Sequence, residues 1–101
     1  MTYGYIEMEA GRHLLSLQGH ATGSETVCAS ISSIVYALAG YLCNAEEHVQ
    51  EIYRQDLEEG KVLLSCQGDD CVTAAYTMAV VGLAQIARKY PEYLAVELSD
   101  G

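Results

Sequence analysis

Hydrophobic and polar positions alternate with a period of two over the first twenty residues. Ile6 and Met8 share one face of the segment TYGYIEME, and Leu15 and Leu17 share one face of HLLSLQGH. Such alternation is typical of a strand with one buried face. Residues 10–12 (Ala-Gly-Arg) form a turn sequence between the two segments. The pattern therefore predicts an N-terminal β-hairpin.

From Val27 the spacing of the apolar positions changes to three and four residues, as in a helix. Ser24, Glu25 or Thr26 can cap this helix, because short polar side chains accept hydrogen bonds from the first N–H groups. The helix is predicted to end near residues 43–44. Its apolar stripe consists of Val27, Ile31, Ile34, Val35, Leu38 and Leu42.

A second helix is predicted to begin after Asp69 and Asp70 and to end before Pro91, since proline does not continue a helix. Its stripe consists of Val72, Ala75, Tyr76, Ala79, Leu83, Ile86, Ala87 and Tyr90.

The segments outside these helices are less uniform. In KVLLSCQ, Val62, Leu64 and Cys66 share a face, which predicts a strand with Cys66 in the core. Residues 48–57 fit a helix by spacing and a strand by possible pairing, so both alternatives stay open. YLAVEL is a short strand or an extended tail.

Together these elements predict one domain over residues 1–101 with an α+β fold. Two helices are expected to pack on one face of a small, largely antiparallel sheet of about four strands, as a two-layer sandwich. A chain of 101 residues buries a modest core, so a partner subunit would add stability.

The charge balance narrows the classes of partner. Five Lys and Arg face fourteen Asp and Glu, for a net charge of −9, and no basic stripe exists. Such a chain repels nucleic-acid backbones and attracts basic polypeptides. No run approaches the roughly 18 apolar residues that span a bilayer, and the N-terminus lacks signal-peptide features. We therefore expect a cytoplasmic protein that binds neither nucleic acid nor membrane.

The cysteines, at positions 28, 43, 66 and 71, are expected to be reduced thiols in that compartment. Their spacing with the histidines matches no familiar zinc pattern, so we expect no metal and no cofactor. His13 and His48 lie among polar residues and are predicted to be surface side chains.

The segment GHATGSETVCAS carries the candidate chemistry. His20 ends the second strand, and Cys28 follows near the start of the first helix, where backbone N–H groups favour a thiolate and an oxyanion. Gly19 and Gly23 allow the chain to bend back between them. The pattern is that of a cysteine nucleophile with a histidine base. An ordinary loop beside a buried, inert thiol is the alternative that the pattern leaves open.

The GHA motif, followed by a glycine, an acidic residue and VCAxxS, resembles the ribosomal-processing cysteine protease family called Prp. The similarity continues in VGLAQIARKYPEYLAVE and covers nearly the whole chain, least closely over residues 44–67. The resemblance implies a small cytoplasmic α+β homodimer. Such a protein removes a short N-terminal extension from a large-subunit ribosomal protein. The resemblance also favours a strand at 48–57.

The resemblance implies His20 as the catalytic base and Cys28 as the nucleophile. The supporting or substrate-binding residues expected around them are Gly19, Gly23, Glu25, Ala29 and Ser32. The loop over residues 21–27 is about three residues shorter than is usual in the family, which leaves the substrate open. The alternative function is a weakly active or inactive homologue that acts as a dimeric binding module for a ribosomal or other basic protein.

Overall fold

The computed structural model describes residues 1–19, 24–58 and 60–99. Two helices lie on one face of a five-stranded mixed sheet, which confirms the predicted α+β sandwich and adds one strand to it. The strand order across the sheet is β3-β4-β2-β1-β5. The elements are β1 (Thr2–Glu9), β2 (Arg12–Gly19), α1 (Glu25–Asn44), β3 (Val49–Glu58), β4 (Lys61–Gly68), α2 (Asp70–Lys89) and β5 (Leu94–Ser99).

The predicted N-terminal hairpin is present. β1 and β2 pair in antiparallel fashion up to Glu9 and Arg12, across a turn in which Ala10 and Gly11 both have positive φ. The final segment is a strand, β5, which pairs in parallel with β1. Since β5 follows α2, the helix carries the chain from β4 across the sheet to the outer side of β1. The parallel pairing of β5 with β1 makes the sheet mixed.

The ambiguous segment 48–57 is a strand, as the family resemblance favours. Its pairing with β4 shifts register between Val49 and Glu51, and again between Ile52 and Arg54. Each shift interrupts the strict two-residue alternation, because an extra residue sends the following side chains to the other face. These bulges explain why the apolar positions imitate helical spacing.

Both helices bury the predicted stripes against the sheet. α1 is capped by Ser24, whose Oγ accepts a hydrogen bond from the N–H of Val27 at 3.2 Å. α2 is capped by Asp69.

By length and composition each helix could also cross a membrane, which corrects the expectation that no stretch approaches this limit. Core helices that pack on a sheet meet the same criterion, so it carries no argument for insertion.

His13 is buried, at 2 % exposure, and the prediction of a surface side chain was wrong. It shares the inward face of β2 with Leu15 and Leu17, and that parity was the signal that its polar neighbours obscured. Its Nε2 lies 2.8 Å from the Thr73 hydroxyl, and its ring packs on Tyr76 at 5.0 Å between centroids. Cys66 is fully buried, as predicted.

Candidate active site

Cys28 is the fourth residue of α1 and its side chain is exposed. It adjoins Val27 and lies one turn before Ile31, both of which are buried in the core. The position follows from the helix cap, because Ser24 fixes where α1 begins and therefore where Cys28 faces. The structure thus places this thiol beside the buried stripe and not within it.

The hydrogen bonds of the N–H groups at the start of α1 determine which of these groups could bind an oxyanion. The Cys28 amide donates to the Ser24 carbonyl at 3.2 Å, and the Val27 amide donates to the Ser24 hydroxyl. An amide engaged inside the helix is a poor oxyanion donor. The two preceding helical residues, Glu25 and Thr26, have N–H groups for which helix geometry supplies no intrahelical acceptor.

A cleft of about 340 Å³ adjoins Cys28. Its volume lies in the range of ordinary ligand sites, roughly 300–1,000 Å³. The cleft is lined by one side of α1, by the end of the β3–β4 hairpin and by residues of β1 and β2. The lining residues are Thr2, Leu17, Gly19, Cys28, Ile31, Ser32, Val35, Tyr36, Leu57, Glu58, Gly60, Lys61 and Val62. The lining therefore combines apolar side chains with polar ones, including one lysine and one glutamate at the hairpin end.

Gly19 ends β2 at the wall of this cleft. Its N–H donates to the Gly60 carbonyl at 2.9 Å, which ties β2 to the tip of the β3–β4 hairpin. Its φ is +97°, and a Cβ there would collide with the carbonyl oxygen of Met1. Glycine is required at this position. Gly19 is therefore held at the cleft wall, and the next residue in the sequence is His20.

His20 and Gly23 lie outside the described residues, so their predicted roles remain predictions. Among the other expected site residues, Ser32 lines the cleft one turn after Cys28. Glu25 is exposed in the first turn of α1, where its charge suits the helix dipole. Ala29 is exposed and does not line the cleft.

Tyr36 and the hairpin residues Leu57 and Lys61 line the cleft and were not anticipated from the sequence. Tyr36 has a signal, because Cys28, Ser32 and Tyr36 are spaced by four residues and so lie along one face of α1. It is 62 % exposed. The hairpin residues had no such signal, since the secondary structure of 48–57 was ambiguous.

Three ligand types meet elsewhere in the described part of the chain. Donor atoms of His48, Asp69 and Cys71 lie within 4.8 Å of one another. This group lies at the start of α2 and just after the C-terminal end of α1, whereas Cys28 lies near the N-terminal end of α1. It is therefore separate from the cleft.

Comparison with known proteins identifies relatives of this fold. The family model of the cysteine protease Prp matches residues 2–95. The ribosomal processing protease Prp of S. aureus, solved with a covalently linked product peptide, is 19 % identical with a TM-score of 0.80, covering 98 % of this chain and 100 % of that one. SMU.848 from Streptococcus mutans is 18 % identical with a TM-score of 0.74, covering 100 % and 96 %. The search of curated proteins returned no match.

Proposed function

The chain belongs to the cysteine protease Prp family, and from this membership we propose that it is a cysteine endopeptidase with Cys28 as nucleophile and His20 as base. The observation that carries the proposal is the shared cleft. Cys28 lies on one wall, and Gly19, the residue before His20, lies on another. One peptide bond thus connects the cleft wall to the histidine.

The proposed reaction uses the dyad twice. His20 takes the proton of the Cys28 thiol as the sulfur attacks the scissile carbonyl, and it then protonates the leaving amine. Water, activated by the same histidine, hydrolyses the thioester and restores the thiol. The oxyanion of each step is held at the N-terminal end of α1, where the helix dipole favours negative charge.

We propose that the substrate is the N-terminal segment of a large-subunit ribosomal protein. The S. aureus relative is a ribosomal processing protease that has also been solved with a substrate peptide. The net charge of −9 attracts basic segments, which ribosomal proteins carry. Apolar side chains of the cleft, among them Leu17, Val35 and Leu57, favour a hydrophobic residue near the scissile bond.

A cytoplasmic homodimer completes the proposal. It is supported by the resemblance to the family and by the small core that one chain of 101 residues can bury. Sedimentation of the purified protein tests the dimer, and a monomer at all accessible concentrations contradicts it.

Thiol reactivity tests the dyad. A thiol paired with an imidazole reacts with iodoacetamide well below the roughly pH 8.5 at which an isolated thiol ionises. Peptide mapping of a short labelling time should find Cys28 modified before Cys43 and Cys71, the other exposed cysteines. Replacing His20 by alanine should slow labelling of Cys28 and leave labelling of Cys43 unchanged.

Equal, slow labelling of the three exposed cysteines would contradict the dyad and favour a binding module.

The class of substrate is tested in a separate experiment. Peptides from candidate N-terminal extensions are incubated with the protein, and mass spectrometry locates any cut. Cleavage should slow when the basic residues of the peptide are replaced by neutral ones. A peptide cut equally well without them would contradict the assignment of a basic substrate.

A further inference from the structure

His48 and Asp69 lie far apart in the chain but meet at the start of α2. The Nδ1 atom of His48 is 2.7 Å from Oδ2 of Asp69. Cys71, two residues after Asp69, brings its sulfur into the same group, so that one donor atom from each residue lies within 4.8 Å of the others. Imidazole nitrogen, carboxylate oxygen and thiolate sulfur are the three donors that zinc uses in proteins.

The backbone holds these residues in place. The Asp69 amide donates to the His48 carbonyl at 3.1 Å, and the His48 amide donates to the Ala45 carbonyl at 2.9 Å. Oδ1 of Asp69 accepts from the N–H of Cys71 at 2.9 Å as part of the helix cap. That bond orients Oδ2 away from the helix and toward His48. The ligand set is therefore built on a fixed helix start and on the turn between α1 and β3.

The distances suit a tetrahedral ion after small rotations. Zinc bonds of about 2.0–2.3 Å separate neighbouring donors by roughly 3.3–3.8 Å. The His48–Asp69 pair would open, and the sulfur, now at most 4.8 Å from the other donors, would approach by up to about 1.0–1.5 Å. His48 and Asp69 are 32 % and 44 % exposed, so their side chains have room to rotate. A carboxylate oxygen of Glu47 lies 3.6 Å from Nε2 of His48 and adds negative charge beside the group.

We propose that His48, Asp69 and Cys71 bind one Zn²⁺ ion at the N-terminus of α2, with water in the fourth position. Binding displaces the thiol proton of Cys71, which leaves as solvent hydronium. The ion would link the α1–β3 turn to the start of α2. This site does not depend on the proposed protease activity, because it lies at the other end of α1 from Cys28.

Metal titration of the intact, tag-free protein tests the site. Zn²⁺ binding is followed by calorimetry, and Co²⁺ is used as a coloured probe because thiolate coordination gives a charge-transfer band. The expected result is one ion per chain. Cys71→Ser and His48→Gln should each weaken binding at least about tenfold, and Cys71→Ser should remove the thiolate band. Cys43→Ser and Cys28→Ser are matched controls that should bind as the wild type does.

A second measurement needs no ligand variant and so does not depend on one folding. Zn²⁺ should protect Cys71 of the wild-type protein from iodoacetamide while Cys43 stays reactive. The proposal is overturned if the wild type binds no ion, if Cys71→Ser binds as tightly as the wild type, or if Cys28→Ser is the variant that abolishes binding. The first of these outcomes would leave a hydrogen-bonded His–Asp pair that serves the helix cap alone.

Discussion

Replacing Gly19 by alanine tests how the end of β2 is held at the cleft. Gly19 has a φ of +97°, and an added Cβ would collide with the backbone carbonyl of Met1. The left-handed region costs a residue with a Cβ about 1–2 kcal/mol, and overpacking adds about 1–3 kcal/mol, together roughly 2–5 kcal/mol. The obstacle is backbone, so no rotation of a side chain relieves it.

Gly40 offers a matched control. It lies in α1, and a Cβ there would have no atom within 4 Å. Gly40→Ala should stabilise the protein by about 0.5–1 kcal/mol, because alanine is the better helix former.

Urea unfolding, followed by circular dichroism, measures both variants. With a slope near 1 kcal/mol/M, the midpoint of Gly19→Ala should fall by about 2 M or more at unchanged slope. The midpoint of Gly40→Ala should rise. The reasoning is refuted if Gly19→Ala unfolds at the wild-type midpoint, or if both variants are destabilised alike.

Three further predictions concern groups away from the cleft. Asp69→Ala should lower the free energy of unfolding by about 1 kcal/mol through loss of the α2 cap, and Asp69→Asn should retain most of it, as denaturant titration would show. Tyr76 donates to the Leu64 carbonyl at 3.1 Å, so Tyr76→Phe should cost about 0.5–1.5 kcal/mol, and a cost near zero would contradict that bond. Burial lowers the pKa of His13 below its ordinary 6.5, so the unfolded chain binds more protons than the folded one. The wild type should therefore lose stability relative to His13→Gln as the pH drops below 6.5, as midpoints of both proteins measured across this range would show.

Local periodicity was sufficient to predict the helices and the first hairpin. The stripe that contains Val27 and Ile31 predicts α1, and both residues are buried. In β3, by contrast, the pairing partner imposes two register shifts that no local pattern reports. The parallel pairing of β5 with β1 also depends on where α2 returns the chain, which is a tertiary property.

The residues of the two candidate sites also differ in whether the local sequence predicts their position. The position of Cys28 follows from the cap and the motif around it, whereas Leu57 and Lys61 reach the cleft only because the β3–β4 hairpin ends there. His48 and Cys71 are 23 positions apart and match no ligand spacing, yet the turn after α1 meets the start of α2. Such proximity is set by the packing of the elements, and the spacing of residues in the sequence does not predict it.

The most direct test of the proposed activity is peptide cleavage by four matched proteins. A peptide that spans a candidate N-terminal extension is incubated with the wild type, Cys28→Ala, His20→Ala and Cys43→Ala, and products are followed by mass spectrometry. The proposal predicts one cut by the wild type and by Cys43→Ala, with cleavage abolished in Cys28→Ala and strongly slowed in His20→Ala. Cleavage by Cys28→Ala at the wild-type rate would contradict it.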